Sequence, residues 1–190
     1  QPNGLKPLPD KHVDSGMGLE RIVRVLQGRN SNYDTDLFTH LFNAIERVTG
    51  APAYTGRLKD QHDIAYRVIA DHIRTLSFSI ADGAEPSNEG RGYVLRRVLR
   101  RAVRYGRQTL GVQGEFFWKL VGPLAEAMGE FYPELVKHQG KIEQIIREEE
   151  LSFGRTLEQG IKLFDEAAEG SVRIDADDAF KLHDTYGFPI

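Results

Sequence analysis

Cysteine is absent from the 190-residue sequence, so neither a disulfide framework nor a thiolate metal site is available. The six histidines show no convincing ligand spacing, and we predict no metal site. No apolar run approaches the roughly 18 residues that a membrane-spanning helix needs, and no signal peptide is visible. We therefore expect a cytoplasmic protein with no membrane partner. The net charge of -3 gives no global sign of a nucleic-acid partner.

Hydrophobic residues make up 40% of the sequence, which is enough for one ordinary domain or for a domain with a fragment of another. Gln1 is not a natural start and the chain stops at Ile190 without a tail, so we expect a piece of a longer protein. From residue 31 onward apolar residues recur at helical spacing almost to the end, which predicts a mainly α fold, with Pro123 as a bend. The predicted helices span residues 37–48, 60–80, 91–107, 116–128, 142–168 and 176–182, and a short helix begins at Pro133.

The strongest local charge pattern lies in residues 91–107, which contain seven arginines and no acid. Projected on a helix, the apolar residues fall on one half and the arginines from 96 to 107 on the other. Every i,i+4 neighbour on the basic half is another arginine, which costs a few tenths of a kcal/mol per pair. Forked guanidinium groups suit phosphate, so the pattern predicts a surface that binds a polyanion.

The alternative for these arginines is pairing with acidic helices of the same chain. The best internal candidates are Glu148, Glu149 and Glu150, in the predicted helix 142–168. A run of acids on a helix is most simply a solvated face. Both interpretations therefore stay open, and a salt-dependent RNA-binding assay distinguishes them.

A second pattern, near the N-terminus, reads as strand, glycine turn and helix. Residues 12–15 form the candidate strand, the Gly-Met-Gly of residues 16–18 the turn, and residues 19–27 the helix. Glycines let the backbone approach a ligand, and a helix start offers free N–H groups. Arg21, one turn into the helix, can reach a phosphate there. The alternative is an ordinary helix with a Glu20–Arg21 pair on its surface.

Six stretches, in order over nearly the whole chain, resemble those of the alanyl-tRNA synthetase family, which is a family of class II aminoacyl-tRNA synthetases. The first, Val-Asp-Ser-Gly-Met-Gly-Leu-Glu-Arg, would alone indicate only a class II synthetase. The complete set is typical of the alanine family, and it consists of residues 13–21, 31–36, 67–74, 86–88, 92–97 and 184–189.

The resemblance implies two regions with different roles. Residues 1–30 match the C-terminal strand and helix, called motif 3, of a class II α+β catalytic domain. Residues 31–190 match the helical domain that recognises the tRNA acceptor stem. The implied reaction activates alanine with ATP and Mg²⁺ and transfers it to alanine tRNA. Motifs 1 and 2 are absent, as are the editing and C-terminal domains, so we expect the piece alone to be inactive and to hold no cofactor.

The resemblance also assigns residues in the catalytic part. Asp14 matches the residue that faces the amino group of alanine, and Gly16 matches one that lines the alanine pocket. Gly18 and Arg21 match the ATP site, where the arginine contacts phosphate.

In the helical part, Asn88 and Asp184 match the residues that recognise the G·U wobble pair of the acceptor stem. His183 departs from the family pattern, which has tyrosine there. The simpler roles are that Asn88 caps the arginine helix and that Asp184 hydrogen-bonds its own turn.

The resemblance also implies which residues contact the RNA backbone, namely Arg91, Arg96, Arg97, Arg100, Arg101 and Arg104. A non-catalytic RNA-binding module and a purely structural helical domain are the competing functions.

Overall fold

The computed structural model describes residues 7–168 and 174–184, and that part of the chain contains eight α-helices and two 3₁₀ turns. The turns are Asn32–Asp34 and Phe117–Leu120. No helix in these ranges is both long and apolar enough to cross a membrane. The helices are α1 Leu19–Leu26, α2 Asp36–Thr49, α3 Gln61–Ala81, α4 Gly90–Gln108, α5 Val121–Met128, α6 Pro133–Lys137, α7 Gln139–Ala168 and α8 Ala176–Asp184.

Helix α3 lies at the centre of the fold. It packs against α4 most extensively and also contacts α2, α5, α6 and α7. Its apolar residues Ile69, Ile73 and Leu76 are fully buried. The helix begins where the Asp60 carboxylate accepts hydrogen bonds from two backbone N–H groups of its first turn, as an N-cap does. The helical spacing of the sequence thus corresponds to one common core, and the predicted mainly α fold is confirmed.

The apolar segment 116–128 is not one bent helix. It forms the 3₁₀ turn Phe117–Leu120 followed directly by α5. Pro123 is the third residue of α5, where the backbone N–H has no intrahelical acceptor and proline removes nothing. The predicted bend is therefore wrong, and Pro123 marks the beginning of a helix.

The predicted strand at residues 12–15 is not confirmed. This segment has no regular secondary structure, no strand occurs in the described residues, and Val13 is 99% exposed. A single strand has no neighbouring strand to pair with its backbone N–H and C=O groups, so no inter-strand hydrogen bonds stabilise it. The helix that follows does form as α1, but none of its residues is buried.

Candidate functional site

The arginine-rich helix α4 uses its apolar side to join the core. Leu95, Leu99, Ala102 and Val103 are buried where α4 packs against α3 and α7. The arginines lie around the rest of the helix, and the neighbouring helices divide them into two groups.

One group faces α7 and is paired there. The Nε atom of Arg96 lies 2.9 Å from Oε1 of Glu149, whose side chain is 10% exposed. The Nε atom of Arg100 lies 3.4 Å from the same oxygen. Arg107 lies 3.5 Å from Glu158. The internal-pairing alternative is therefore confirmed for Glu149, and the simple expectation of a solvated acidic face is wrong there.

The other group consists of Arg97, Arg101 and Arg104, which, like Arg91 at the start of the helix, have no carboxylate within ion-pair distance anywhere in residues 7–168 or 174–184. We call these three residues the outward arginines. Their guanidinium groups rest on tyrosine rings: Arg97 lies 5.8 Å from the Tyr93 centroid, and Arg101 and Arg104 lie 6.0 and 5.7 Å from that of Tyr105. Cation–π contacts of this kind orient a guanidinium and leave its N–H groups free.

Arg101 also influences a half-buried histidine of α3. Burial and, to a lesser extent, the charge of Arg101 together lower the pKa of His72 to about 4. His72 is therefore neutral at pH 7 and adds no charge to this surface.

Asn88 precedes α4 in the loop of residues 84–89, and it does not cap the helix. Glu89 occupies the N-cap position and makes no side-chain cap hydrogen bond. The Oδ1 atom of Asn88 instead accepts a hydrogen bond from Nη1 of Arg96. The simpler role as a helix cap is thus wrong for Asn88, and the residue is exposed beside the start of the basic helix.

Asp184 is the last residue of α8, but its side chain lies outside the part that the structure describes, as does that of His183. The carboxylate of Asp175 accepts hydrogen bonds from the N–H groups of Asp177 and Asp178 at 2.9 Å, so Asp175 is the N-cap of α8. The joint action of Asn88 and Asp184 on one RNA stem stays a prediction.

The catalytic candidates near the N-terminus divide into two pairs. Gly18 is the N-cap of α1, and Gly18 and Arg21 line a cavity of ≈ 500 Å³. Asp14 and Gly16 lie in irregular, exposed backbone and do not line that cavity.

Besides Phe38, three residues of the helical region line the same cavity, namely Asn32, Tyr33 and Asp71. The Tyr33 hydroxyl donates to Asp71 over 2.5 Å. Burial raises the pKa of Asp71, against the opposing effect of the hydrogen bond from Tyr33. Burial together with Asp71 raises the pKa of Tyr33 to about 12. Sequence reasoning missed these contributors, and the only available signal was that they fall in the stretches 31–36 and 67–74.

An ion pair joins α1 to α3 beside this cavity. Arg74 contacts Glu20 at 2.6 Å, and this hydrogen bond is the main reason that the pKa of Glu20 is lowered. The alternative of a surface pair between Glu20 and Arg21 is therefore not confirmed, because Glu20 pairs with Arg74 instead.

The only group of three close metal-ligand atoms in the described residues is Asp60, His62 and Asp63. The Asp63 carboxylate already accepts from the backbone N–H groups of Thr55 and Arg57 and from the Thr55 hydroxyl. Asp60 caps α3. These oxygen atoms are occupied by the fold, so the group does not fit a cation.

Comparison of this chain with known proteins identifies its family. The family described as tRNA synthetases class II (A) matches residues 1–190. The chain is 53% identical over 191 residues to an alanine–tRNA ligase of Chlorobium phaeobacteroides, covering 98% of this chain and 21% of the relative. It is 48% identical over 196 residues to that of Schizosaccharomyces pombe, covering 98% and 20%. The chain thus spans about a fifth of the length of these curated relatives, and it belongs to the class II (A) tRNA synthetase family.

Proposed function

We propose that this chain is part of a ligase that activates alanine with ATP and attaches it to alanine tRNA, and that its main task is binding the acceptor stem. The observation that supports RNA binding best is the row of outward arginines. Three guanidinium groups on one side of α4 lack an acidic partner in the described residues, although the chain as a whole is acidic. Such a row is stabilised by an external polyanion.

In this proposal, Asn88 and Asp184 recognise the wobble pair. A-form RNA is read mostly through phosphate, 2′-OH groups and the shallow minor groove. A G·U pair leaves the guanine amino group unpaired there, and a carboxylate such as that of Asp184 can only accept, so it suits that donor. Asn88 lies beside the first turn of the basic helix, where an RNA stem held by the arginines would pass.

The N-terminal residues supply part of the adenylation site. Arg21 would hold a phosphate of ATP near Gly18 at the start of α1, and Asp14 and Gly16 would contact alanine in the complete enzyme. Magnesium accompanies ATP in such reactions, but the described carboxylates that lie close together are occupied by the α3 N-terminus.

The test is binding of the 190-residue chain to RNA stem-loops that copy the acceptor stem of alanine tRNA, with G·U or G·C at the wobble position. The G·U stem should bind more tightly, and log K should fall with log salt by about 0.7 to 0.9 per phosphate contact. Equal affinity for both stems would contradict the reading of the wobble pair, and a flat salt dependence would contradict RNA binding by the arginines.

Two arginines of α4 provide a matched comparison in that assay. Arg101→Ala removes an outward arginine and should flatten the salt slope by up to about 1, with equal weakening of both stems. Arg100→Ala should change the slope less, because its guanidinium already faces Glu149 and lies 5.2 Å from the Phe153 ring centroid. The opposite order would show that the described pairing breaks when RNA binds.

A further inference from the structure

We propose that Arg96 is a positioning residue that orients the side-chain amide of Asn88, and that Glu149 of α7 holds Arg96 in place. This inference rests on the proposed role of Asn88 in reading RNA. It removes Arg96 from the residues that grip phosphate and gives it, together with Glu149, a part in specificity.

The contact between Arg96 and Glu149 has two points. The Nε atom of Arg96 lies 2.9 Å from Oε1 of Glu149, and Nη2 donates to Oε2 at 2.9 Å. Only the Nη2 contact is a hydrogen bond, because Nε and Oε1 lie close without hydrogen-bond alignment. A guanidinium is planar, so one hydrogen bond and one close ionic contact on the same edge restrict both its position and its orientation. The side chains are 21% and 10% exposed, so water screens this pair less than a fully exposed one.

The third nitrogen of the fixed guanidinium reaches Asn88. Nη1 of Arg96 donates to Oδ1 of Asn88, while Nε and Nη2 are turned toward Glu149. Nη1 and Nη2 of Arg96 thus donate to neighbours within the chain, and Nε lies against Glu149 without a hydrogen-bond partner among the described residues. Arg97, the next residue, faces outward over Tyr93 and has no such commitment.

The backbone of the Asn88 loop is held on the same turn of α4. The N–H of Ser87 donates to the carbonyl of Gly92 at 3.0 Å, and the Ser87 hydroxyl donates to the carbonyl of Glu89 at 3.0 Å. A β-carbon at position 92 would overlap both Ser87 and the Glu85 carbonyl, so only glycine permits this approach. Loop and side chain are therefore both anchored before any RNA arrives.

The chemistry of the partners determines which end of the amide is free. A guanidinium can only donate hydrogen bonds, so Arg96 must face the carbonyl oxygen of the Asn88 amide, and the NH₂ group points away. An asparagine with a free side chain can donate or accept. In Asn88 held by Arg96, one lone pair of the oxygen is used and the NH₂ group is the end turned away from Arg96, which favours a hydrogen-bond acceptor on the RNA.

The first test uses the chain without RNA. The side-chain NH₂ signals of Asn88 are observed by ¹⁵N-resolved NMR and assigned by their loss in Asn88→Asp. In the parent chain they should be shifted from solvent-exposed values, and Arg96→Met and Glu149→Gln should both return them toward those values. Arg97→Met is the matched control, with the same substitution one residue along, and should leave them in place. Signals that do not respond to Arg96→Met or Glu149→Gln overturn the proposal.

The second test measures the ratio of affinities for the G·U and G·C stems. Arg96→Met and Glu149→Gln should lower that ratio by roughly tenfold, the size of one base-edge contact, and weaken the G·C stem by less than about threefold. Arg97→Met should weaken both stems alike and flatten the salt slope. Arg96→Lys keeps the positive charge without the planar guanidinium, so it should lower the ratio of G·U to G·C affinity as well. Circular dichroism shows whether each variant is folded.

Two results would overturn the positioning role of Arg96 in this assay. One is an unchanged ratio in both Arg96→Met and Glu149→Gln. The other is a salt slope that Arg96→Met flattens as much as Arg97→Met does, which would make Arg96 a phosphate ligand. If the parent chain itself does not distinguish the stems, the proposed function fails, and the NMR comparison alone decides whether Arg96 orients Asn88.

Discussion

Among single residues, Glu150 is a buried acid whose carboxylate is bound by backbone N–H groups. Its side chain is fully buried, and its carboxylate accepts hydrogen bonds from the backbone N–H groups of Phe116, Phe117 and Trp118 at 2.8, 3.0 and 3.3 Å. These are donors at the start of a 3₁₀ turn, where no carbonyl of the turn can reach them. One carboxylate therefore fixes the segment after α4 against α7.

Glu150→Ala should lower the free energy of unfolding by about 1–3 kcal/mol, because buried N–H donors lose their acceptor. The matched control is Glu148→Ala, an exposed acid on the same helix, which should change stability by less than about 0.5 kcal/mol. Urea denaturation followed by circular dichroism measures both. Similar losses in the two variants would show that the buried hydrogen bonds contribute little.

The difference in unfolding free energy between the parent chain and Glu150→Ala should change with pH in one direction. Burial raises the pKa of Glu150 above its ordinary value of 4.5, against the opposing effect of the backbone hydrogen bonds. The folded state therefore binds this proton more tightly than the unfolded state. The advantage of the parent chain over Glu150→Ala should grow as the pH falls through the raised pKa toward 4.5, and it should shrink as the pH rises.

Among the helices, α1 is attached mainly through polar contacts. None of its residues is buried. Glu20 pairs with Arg74 at 2.6 Å, and Gln27, just after the helix, donates to Asp36 at 2.7 Å. Arg74 also lies over the Phe38 ring, 4.9 Å from its centroid. The orientation of α1, and with it the position of Arg21, therefore depends strongly on one ion pair.

Arg74→Met should loosen α1 while leaving α3 intact, because methionine keeps an apolar contact with Phe38 but cannot pair with Glu20. Amide hydrogen exchange should rise in residues 19–26 and stay slow at Ile69 and Ile73. The pKa of Glu20 is lowered mainly by this hydrogen bond, so in the parent chain α1 should lose the same protection as the pH falls through that lowered pKa. Arg47→Met, at an exposed arginine of α2, is the control and should change neither region.

For the molecule as a whole, sequence periodicity predicted the helices but not the partners of their polar side chains. The predicted helices 37–48 and 60–80 differ by one residue at each end from Asp36–Thr49 and Gln61–Ala81, because their apolar spacing is local information. The sequence offered Glu148, Glu149 and Glu150 as candidate partners of the arginines, but which of them pairs with Arg96 depends on where α7 crosses α4. That crossing is set by packing between residues more than fifty positions apart, which no local pattern reports.

The candidate site shows the same limit. The sequence placed Gly18 and Arg21 at one helix start, and both line one cavity there. That Tyr33 and Asp71 complete this cavity could not be predicted from their place in the stretches 31–36 and 67–74, because they reach it from two other segments of the fold. The predicted strand at residues 12–15 depended on partner strands, and the described residues contain none.

The same arrangement predicts that the purified chain alone does not catalyse alanine-dependent exchange of pyrophosphate into ATP. Gly18 and Arg21 line the cavity beside α1, whereas Asp14 and Gly16 lie in exposed, irregular backbone outside it. The residues proposed to hold ATP and alanine are therefore not held together, and correct placement of reacting groups contributes about 7–11 kcal/mol to lowering such a barrier. A full-length alanine–tRNA ligase serves as the positive control, and RNA binding by the same preparation shows that the chain is folded. Exchange above the level without alanine would mean that the 190 residues form a working adenylation site on their own.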